Sequence, residues 1–254
     1  MLDAFISANI FAFLLVFARL GAALMLLPPF GDVFVFPRAR LALALALSAV
    51  VMPIALPGLP AAPQDPITLA LLLGGEIAVG LLIGTLVRIL TSALHTASII
   101  VAYQTGFGIA AAFNPSQREQ GILISRFLTL LGLVLLFTTD LHRLLLAGLV
   151  ESYRAVPAGM PPPVGDFAAQ AVDFVAGAFA TALKISAPLL ILGFLFYLAL
   201  GLLSRLMPSI QVLFVALPLQ IGLGFWALAV MLAGVMLWYL DDFGLHAGRM
   251  FQGG

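Results

Sequence analysis

The stretch Ile67-Thr-Leu-Ala-Leu-Leu-Leu-Gly-Gly-Glu76-Ile-Ala-Val-Gly80-Leu-Leu-Ile-Gly84-Thr-Leu-Val-Arg88-Ile-Leu90 decides the class of the fold. From Ile67 to Val87 its one charged residue is Glu76. A helix needs about 20 mostly apolar residues to cross about 30 Å of hydrocarbon, and this stretch is long enough. Its Leu, Ala and Gly runs lack the two-residue alternation of a membrane strand.

The composition outside the stretch agrees. Of 254 residues, 63% are apolar and 9% are Asp, Glu, Lys or Arg, against about 25% charged in an ordinary soluble domain. Mean hydropathy is +1.19. Eleven basic and eleven acidic residues cannot give a soluble globule its charged skin, which excludes a soluble enzyme and a disordered tail. A net charge of zero offers no footprint for phosphates, so no nucleic-acid partner is expected. Without cysteine there is no disulfide, thiolate metal site or cysteine nucleophile. What remains is an integral membrane protein.

Further apolar segments lie at about 8–28, 40–56, 92–112 and 122–139, with a C-terminal block over 177–240. Arg205, Met207 and Pro208 divide that block into 177–203 and 209–240. The expected fold is an all-α membrane protein of six to seven long hydrophobic helices. Segments 67–90 and 92–112 have no proper loop between them; one bent helix and a tight hairpin both fit. The N-terminus has Asp3 and no basic residue before Arg19, so the first helix is expected to stay rather than be cleaved as a signal. Arg38, Arg40 and Arg205 mark cytoplasmic connections, and the basic-free stretch Pro57 to Pro66 reads as periplasmic, which puts both termini outside.

Four places break the hydrophobic pattern. The first is Glu76, since a carboxylate at the bilayer centre costs about 2.5–3.5 kcal/mol on insertion scales. Arg88 is about 18 Å further along a helix, too far to pair. Glu76 is therefore a proton relay, an interhelical contact, or a carboxyl kept protonated by burial. Gly80 and Gly84 continue its face at four-residue spacing. Glycines so placed let another backbone approach closely, as a seam to another helix or partner.

The second is Gln104-Thr-Gly106-Phe107-Gly108-Ile-Ala-Ala-Ala-Phe113-Asn114-Pro115, followed by the polar run Ser116 to Gln120. Gly106 and Gly108 loosen a helix end, and Pro115 turns Asn114 away from the helical region. A plain surface loop fits this composition. So does backbone packed tightly in a constriction, because non-helical chain at membrane depth must be buried by protein or line a cavity.

The third is Asp140-Leu-His142-Arg143, with Glu151, Ser152, Tyr153 and Arg154 beyond it. A polar helix end at an interface accounts for these residues better than a metal or acid–base site, because no further His lies nearby. The Pro- and Gly-rich stretch 156–166 then reads as a linker between an N-terminal part, 1–155, and a C-terminal helical hairpin, 167–254. The fourth is the hairpin turn around Arg205, Met207 and Pro208. Lys184, the one lysine, is expected to snorkel to the interface. Pro218 with Gln220 kinks the last helix, where freed backbone groups need a partner.

The order of these motifs carries a resemblance. It runs Arg19-Leu-Gly21, Pro28-Pro29-Phe30, Pro37-Arg38-Ala-Arg40, Glu76-x3-Gly80-x3-Gly84, Gln104-x-Gly106 and Asn114-Pro115. It continues with a Phe-Leu-x-Leu-Leu run from Phe127, Asp140-x-His142, Glu151-Ser-Tyr153-x3-Pro157, Leu200-Gly-Leu-Leu-x-Arg205-x-Met-Pro208, Gln211 and Leu217-Pro218-Leu-Gln-Ile221. Over about 200 residues the chain resembles the flagellar biosynthetic protein FliR family, whose injectisome counterparts are the T-type export-apparatus proteins. It departs from the family at Leu141, often Gly there, and at Tyr197, often Asn or Asp.

That resemblance implies a core subunit of a type III secretion export gate, in the bacterial inner membrane at a flagellar basal body or injectisome base. It implies a P-like N-terminal part, a Q-like C-terminal hairpin, and a helical ring shared with P-type and Q-type subunits. B-type and A-type export-apparatus proteins, membrane lipid and exported unfolded polypeptides are the other expected partners. A plug loop falls on about 106–122, with Gly106, Phe107, Gly108, Phe113, Asn114 and Pro115 as its candidates. Arg205, Met207 and Pro208 fall where a B-type partner meets the hairpin. No catalytic residue, metal or cofactor is expected. The alternative is a secondary transporter or other multi-span channel acting alone. A transporter should show repeated halves and a polar mid-membrane site, and neither is evident.

Overall fold

The computed structural model describes residues 2–106, 118–206 and 212–252. Among these the chain forms seven α-helices and one short 3-10 turn, with no strand. In order they are α1 (Leu2–Leu26), α2 (Pro37–Ala55), α3 (Pro66–Gln104), α4 (Arg118–Thr138), α5 (Leu141–Ala155), α6 (Val164–Leu206) and α7 (Val212–Gln252). Five helices are long and apolar enough to cross a membrane, or six if the bent pair α4–α5 counts as one span. The fold is an all-α membrane protein, as the apolar runs require.

Local chemistry sets the helix ends. Pro28-Pro29 follows α1, where the chain can donate no helical N–H. α2 and α3 open on Pro37 and Pro66, whose fixed φ suits a first helical turn. Asp65 precedes α3, and its carboxylate accepts from the Thr68 N–H at 3.1 Å and the Thr68 hydroxyl at 3.0 Å. The Thr68 backbone bond, then the hydroxyl bond, hold the Asp65 carboxyl below the usual carboxylate range.

α3 is a single helix of 39 residues, about 58 Å long. The polar residues at its middle do not break it, because the Thr91 hydroxyl bonds back to the Arg88 carbonyl at 2.9 Å. α6 and α7, with 43 and 41 residues, also outrun their apolar cores. The Ala-rich start of α6 is helix-forming without being uniformly apolar. α4 and α5 meet at a 71° bend, where Asp140 takes the left-handed conformation at φ 59°. Aspartate tolerates that region better than most residues.

The contacts fall into two compact units. The first comprises Met1–Thr91, Leu136–Val175 and Gly244–Gly254; the second comprises Ser92–Leu135 and Ala176–Phe243. In the first, Leu15, Leu20, Leu24, Val79, Val87, Leu145 and Leu149 are wholly buried. In the second, Leu94, Ala97, Leu128, Ala182, Ile185, Tyr239 and Phe243 form the core. There the Thr181 hydroxyl also donates to the Asp242 carboxylate at 2.8 Å, and the Lys184 ammonium lies 5.7 Å from the Trp238 ring centre. Outward faces remain apolar, with Ile191, Phe194, Leu195, Trp226, Val230 and Leu237 all exposed. Such surface belongs in lipid or against other proteins.

Candidate functional site

Two polar constructions stand out in an otherwise apolar molecule, one in each unit. The first is built on Arg19, which α1 places among leucines and leaves with no exposed surface. Glu76, 1% exposed on α3, faces it. The guanidinium binds the carboxylate through two nitrogens, Nε to Oε2 at 2.6 Å and Nη2 to Oε1 at 3.2 Å. Its remaining nitrogen, Nη1, donates to the Val156 carbonyl at 2.8 Å and the Ser152 carbonyl at 3.3 Å. These carbonyls close the C-terminal turn of α5. The Ser152 carbonyl also accepts from the Val156 N–H at 2.9 Å, and a cation is favoured there because the helix C-terminus is its negative end. The Tyr153 ring covers the guanidinium, with its centre 4.1 Å from Cζ.

The carboxylate is completed from the loop after α5. The Gly159 N–H donates to Glu76 Oε1 at 2.8 Å. Gly159 has φ +82°, and a Cβ there would lie 2.9 Å from Pro60 Cγ, so only glycine fits this turn. Every charged atom of the pair thus has a hydrogen-bond partner, as burial demands.

The glycines on the Glu76 face bring α1 and α3 into backbone contact. A Cβ at Gly80 would collide with the Arg19 carbonyl, and one at Gly84 would lie 2.8 Å from Leu26 Cβ and 3.0 Å from the Ala23 carbonyl. The structure therefore groups Glu76, Gly80 and Gly84 along α1. Sequence reasoning missed Arg19 as the Glu76 partner. One signal was available: Arg19 is the one charge in segment 8–28, and Glu76 is the one charge, of opposite sign, from Ile67 to Val87.

The second construction lies where α3 ends. Gly106 turns out of the helix at φ +85°. Gln220 of α7, 5% exposed, donates from Nε2 to the Gln104 carbonyl at 3.2 Å and to the Tyr197 hydroxyl at 3.0 Å. Of the expected plug residues, Gly106 is the one described here. Phe107, Gly108, Phe113, Asn114 and Pro115 lie outside the described residues. Met207 and Pro208 also lie outside them, while Arg205 is exposed in the last turn of α6.

Asp140 and His142 belong to the bend between α4 and α5. Asp140 pairs with Arg143 at 3.1 Å on an open surface, and the His142 ring packs 5.1 Å from Phe137. Arg40 folds back to the Phe30 and Asp32 carbonyls at 2.9 and 3.0 Å, which organises the connection between α1 and α2.

Comparison with known proteins gives a consistent pattern. The family model described as bacterial export proteins, family 1, matches residues 10–245. The flagellar biosynthetic protein FliR of Caulobacter vibrioides is 36% identical, over 95% of this chain and 97% of its own length. The protein of the same name from Bacillus subtilis is 31% identical, over 94% and 93%. The Yop proteins translocation protein T of Yersinia pestis is 37% identical, over 61% of this chain and 60% of its own.

Proposed function

The chain belongs to the bacterial export proteins, family 1, as a membrane component of a type III export apparatus, and from that membership we propose that it forms part of the protein-conducting pore. In this reading it assembles with P-type and Q-type subunits in the bacterial inner membrane. B-type and A-type proteins meet it there, and unfolded polypeptides pass. The two relatives matched over nearly their whole length are named as flagellar proteins, which favours a flagellar basal body over an injectisome.

Segment 106–122 contributes the plug that closes the pore at rest. The observation that carries this reading is the exit from α3. Gly106 leaves the helix in a left-handed turn packed against α7, with its would-be Cβ position 3.2 Å from Ile221 Cγ1. The residues that follow combine small side chains, Gly108 and Ala110 to Ala112, with the bulky Phe107 and Phe113, as a reversible seal needs. The Glu76 carboxylate accepts three hydrogen bonds inside its own chain, which supports a scaffold role for it and not a relay.

Deleting 110–116 tests the plug. The complex should still co-purify with its partner subunits, while cells leak ions and small solutes. Assembly without leak, or loss of assembly, would make the segment an ordinary structural loop.

A further inference from the structure

At the end of α3 the Val101, Ala102 and Tyr103 carbonyls accept from the Thr105 N–H, the Thr105 hydroxyl and the Gly106 N–H, and the Gln104 carbonyl lies beyond the last intrahelical donor. Gln220 answers that carbonyl. It sits on α7 two residues beyond Pro218, and its amide nitrogen reaches both the Gln104 carbonyl and the Tyr197 hydroxyl of α6. One buried side chain therefore joins three helices of the second unit.

The surrounding surface is cut to hold the chain at this point. A Cβ at Gly193 of α6 would collide with Gln104 Oε1, so the Gln104 side chain rests where Gly193 has none. A Cβ at Gly224 of α7 would lie 2.7 Å from Thr105 Cα, so Thr105 rests on bare backbone. Thr105 is completely buried. Gly193 and Tyr197 are four residues apart, as are Gln220 and Gly224, so each pair shares one helix face. The seat is thus made by one face of α6 and one of α7, and Gln104, Thr105 and Gly106 all lie in it.

We propose that Gln220 is a positioning residue that pins Gln104–Gly106 between α6 and α7 and so fixes the root from which the plug segment departs. This rests on the plug reading. A neutral amide suits this role, since it satisfies the helix-end carbonyl without placing a charge in the core.

The chain has no cysteine, so Thr105→Cys gives it a unique thiol inside the seat. In the assembled export complex, its reaction with a small water-soluble maleimide reports opening of the seat. Gln220→Met keeps the length and packing of the side chain but cannot donate. It should raise the labelling rate roughly two- to tenfold, the range that one intramolecular hydrogen bond gives. Tyr197→Phe leaves the Gln104 bond in place and should change labelling less. Labelling as slow in Gln220→Met as with Gln220 intact would overturn the proposal, because packing alone would then hold the seat. If Gln220→Met does not assemble, Gly193→Ala, which displaces the Gln104 side chain, must raise labelling or the proposal fails.

The deletion of 110–116, measured beside these variants, separates the two readings. Loosened labelling in Gln220→Met, with a deletion that does not leak, keeps the seat and removes the plug. A leaking deletion with unchanged Gln220→Met labelling keeps the plug and removes the seat.

Discussion

The Arg19–Glu76 node and the Gln220 seat solve the same problem, polar groups inside an apolar protein, with different chemistry. The node buries two full charges and surrounds them with two helix-end carbonyls, a backbone N–H and an aromatic face. The seat buries one neutral amide with two partners. Removing one member of a buried ion pair leaves an uncompensated charge and costs about 3–5 kcal/mol. An unsatisfied neutral group costs about 1–3 kcal/mol. The node therefore locks its helices for good, whereas the seat holds the root of a proposed moving segment with a weaker grip. Charge marks the scaffold of the first unit, and a neutral amide marks the second unit's proposed working part.

The comparison breaks first, and with the largest effect, at the node. Arg19→Leu should destabilise the protein by about 3–5 kcal/mol, because Glu76 is left buried without its partner. The loss should appear as a lowered melting temperature in detergent and a reduced yield of complex. Arg19→Met with Glu76→Leu should recover much of it, since a buried pair replaced by apolar groups is often neutral. A single variant within about 1 kcal/mol of the parent protein would mean that water reaches the pair.

The glycine seam comes next. Gly84→Leu must push α1 from α3 and should cost about 1–3 kcal/mol, with lower recovery of partner subunits. Gly74 and Gly75, on the same helix, have open space where a Cβ would go. Alanine there should be neutral or stabilising by up to about 1 kcal/mol. Equal losses at Gly84 and Gly75 would show that close approach to α1 does not set the cost, since helix propensity alone gives a gain at both.

Asp65 supplies the smallest effect and the baseline for an exposed polar contact. Its carboxyl is held below the usual range by Thr68. A depressed acid contributes above its unfolded-state value and loses that contribution as pH falls through its folded value. Asp65→Ala should therefore melt slightly below the parent at neutral pH and level with it in acid. A gap that widened in acid would reverse that sign.

Much of the fold was legible because the bilayer imposes length and polarity on each helix. Composition fixed the class, and the four-residue spacing of Glu76, Gly80 and Gly84 put them on one face. Helix boundaries were less legible. Thr91 and Ser92 look like a break in a hydropathy pattern, yet a threonine hydroxyl can bond to its own helix and leave the axis continuous. The Ala-rich start of α6 hid in the same way, since helix propensity needs no apolar run. The partners were least legible. Arg19 and Glu76 are 57 residues apart, and Gln104 and Gln220 are 116 apart. Spacing along a helix says nothing about pairs brought together by packing. Pro218 and Gln220 showed that α7 carries something unusual, but not that an orphan carbonyl of α3 would meet it.

That separation has a consequence during synthesis. A ribosome adds about 5–20 residues per second, so the 57 residues between Arg19 and Glu76 take about 3–11 s to follow. For that interval the first helix carries an arginine with no counter-ion, at an insertion cost of about 2.5–3.5 kcal/mol at mid-membrane. The Gly159 donor emerges 83 residues later still. The first helix is thus held in the membrane only provisionally until α3 brings Glu76 to Arg19.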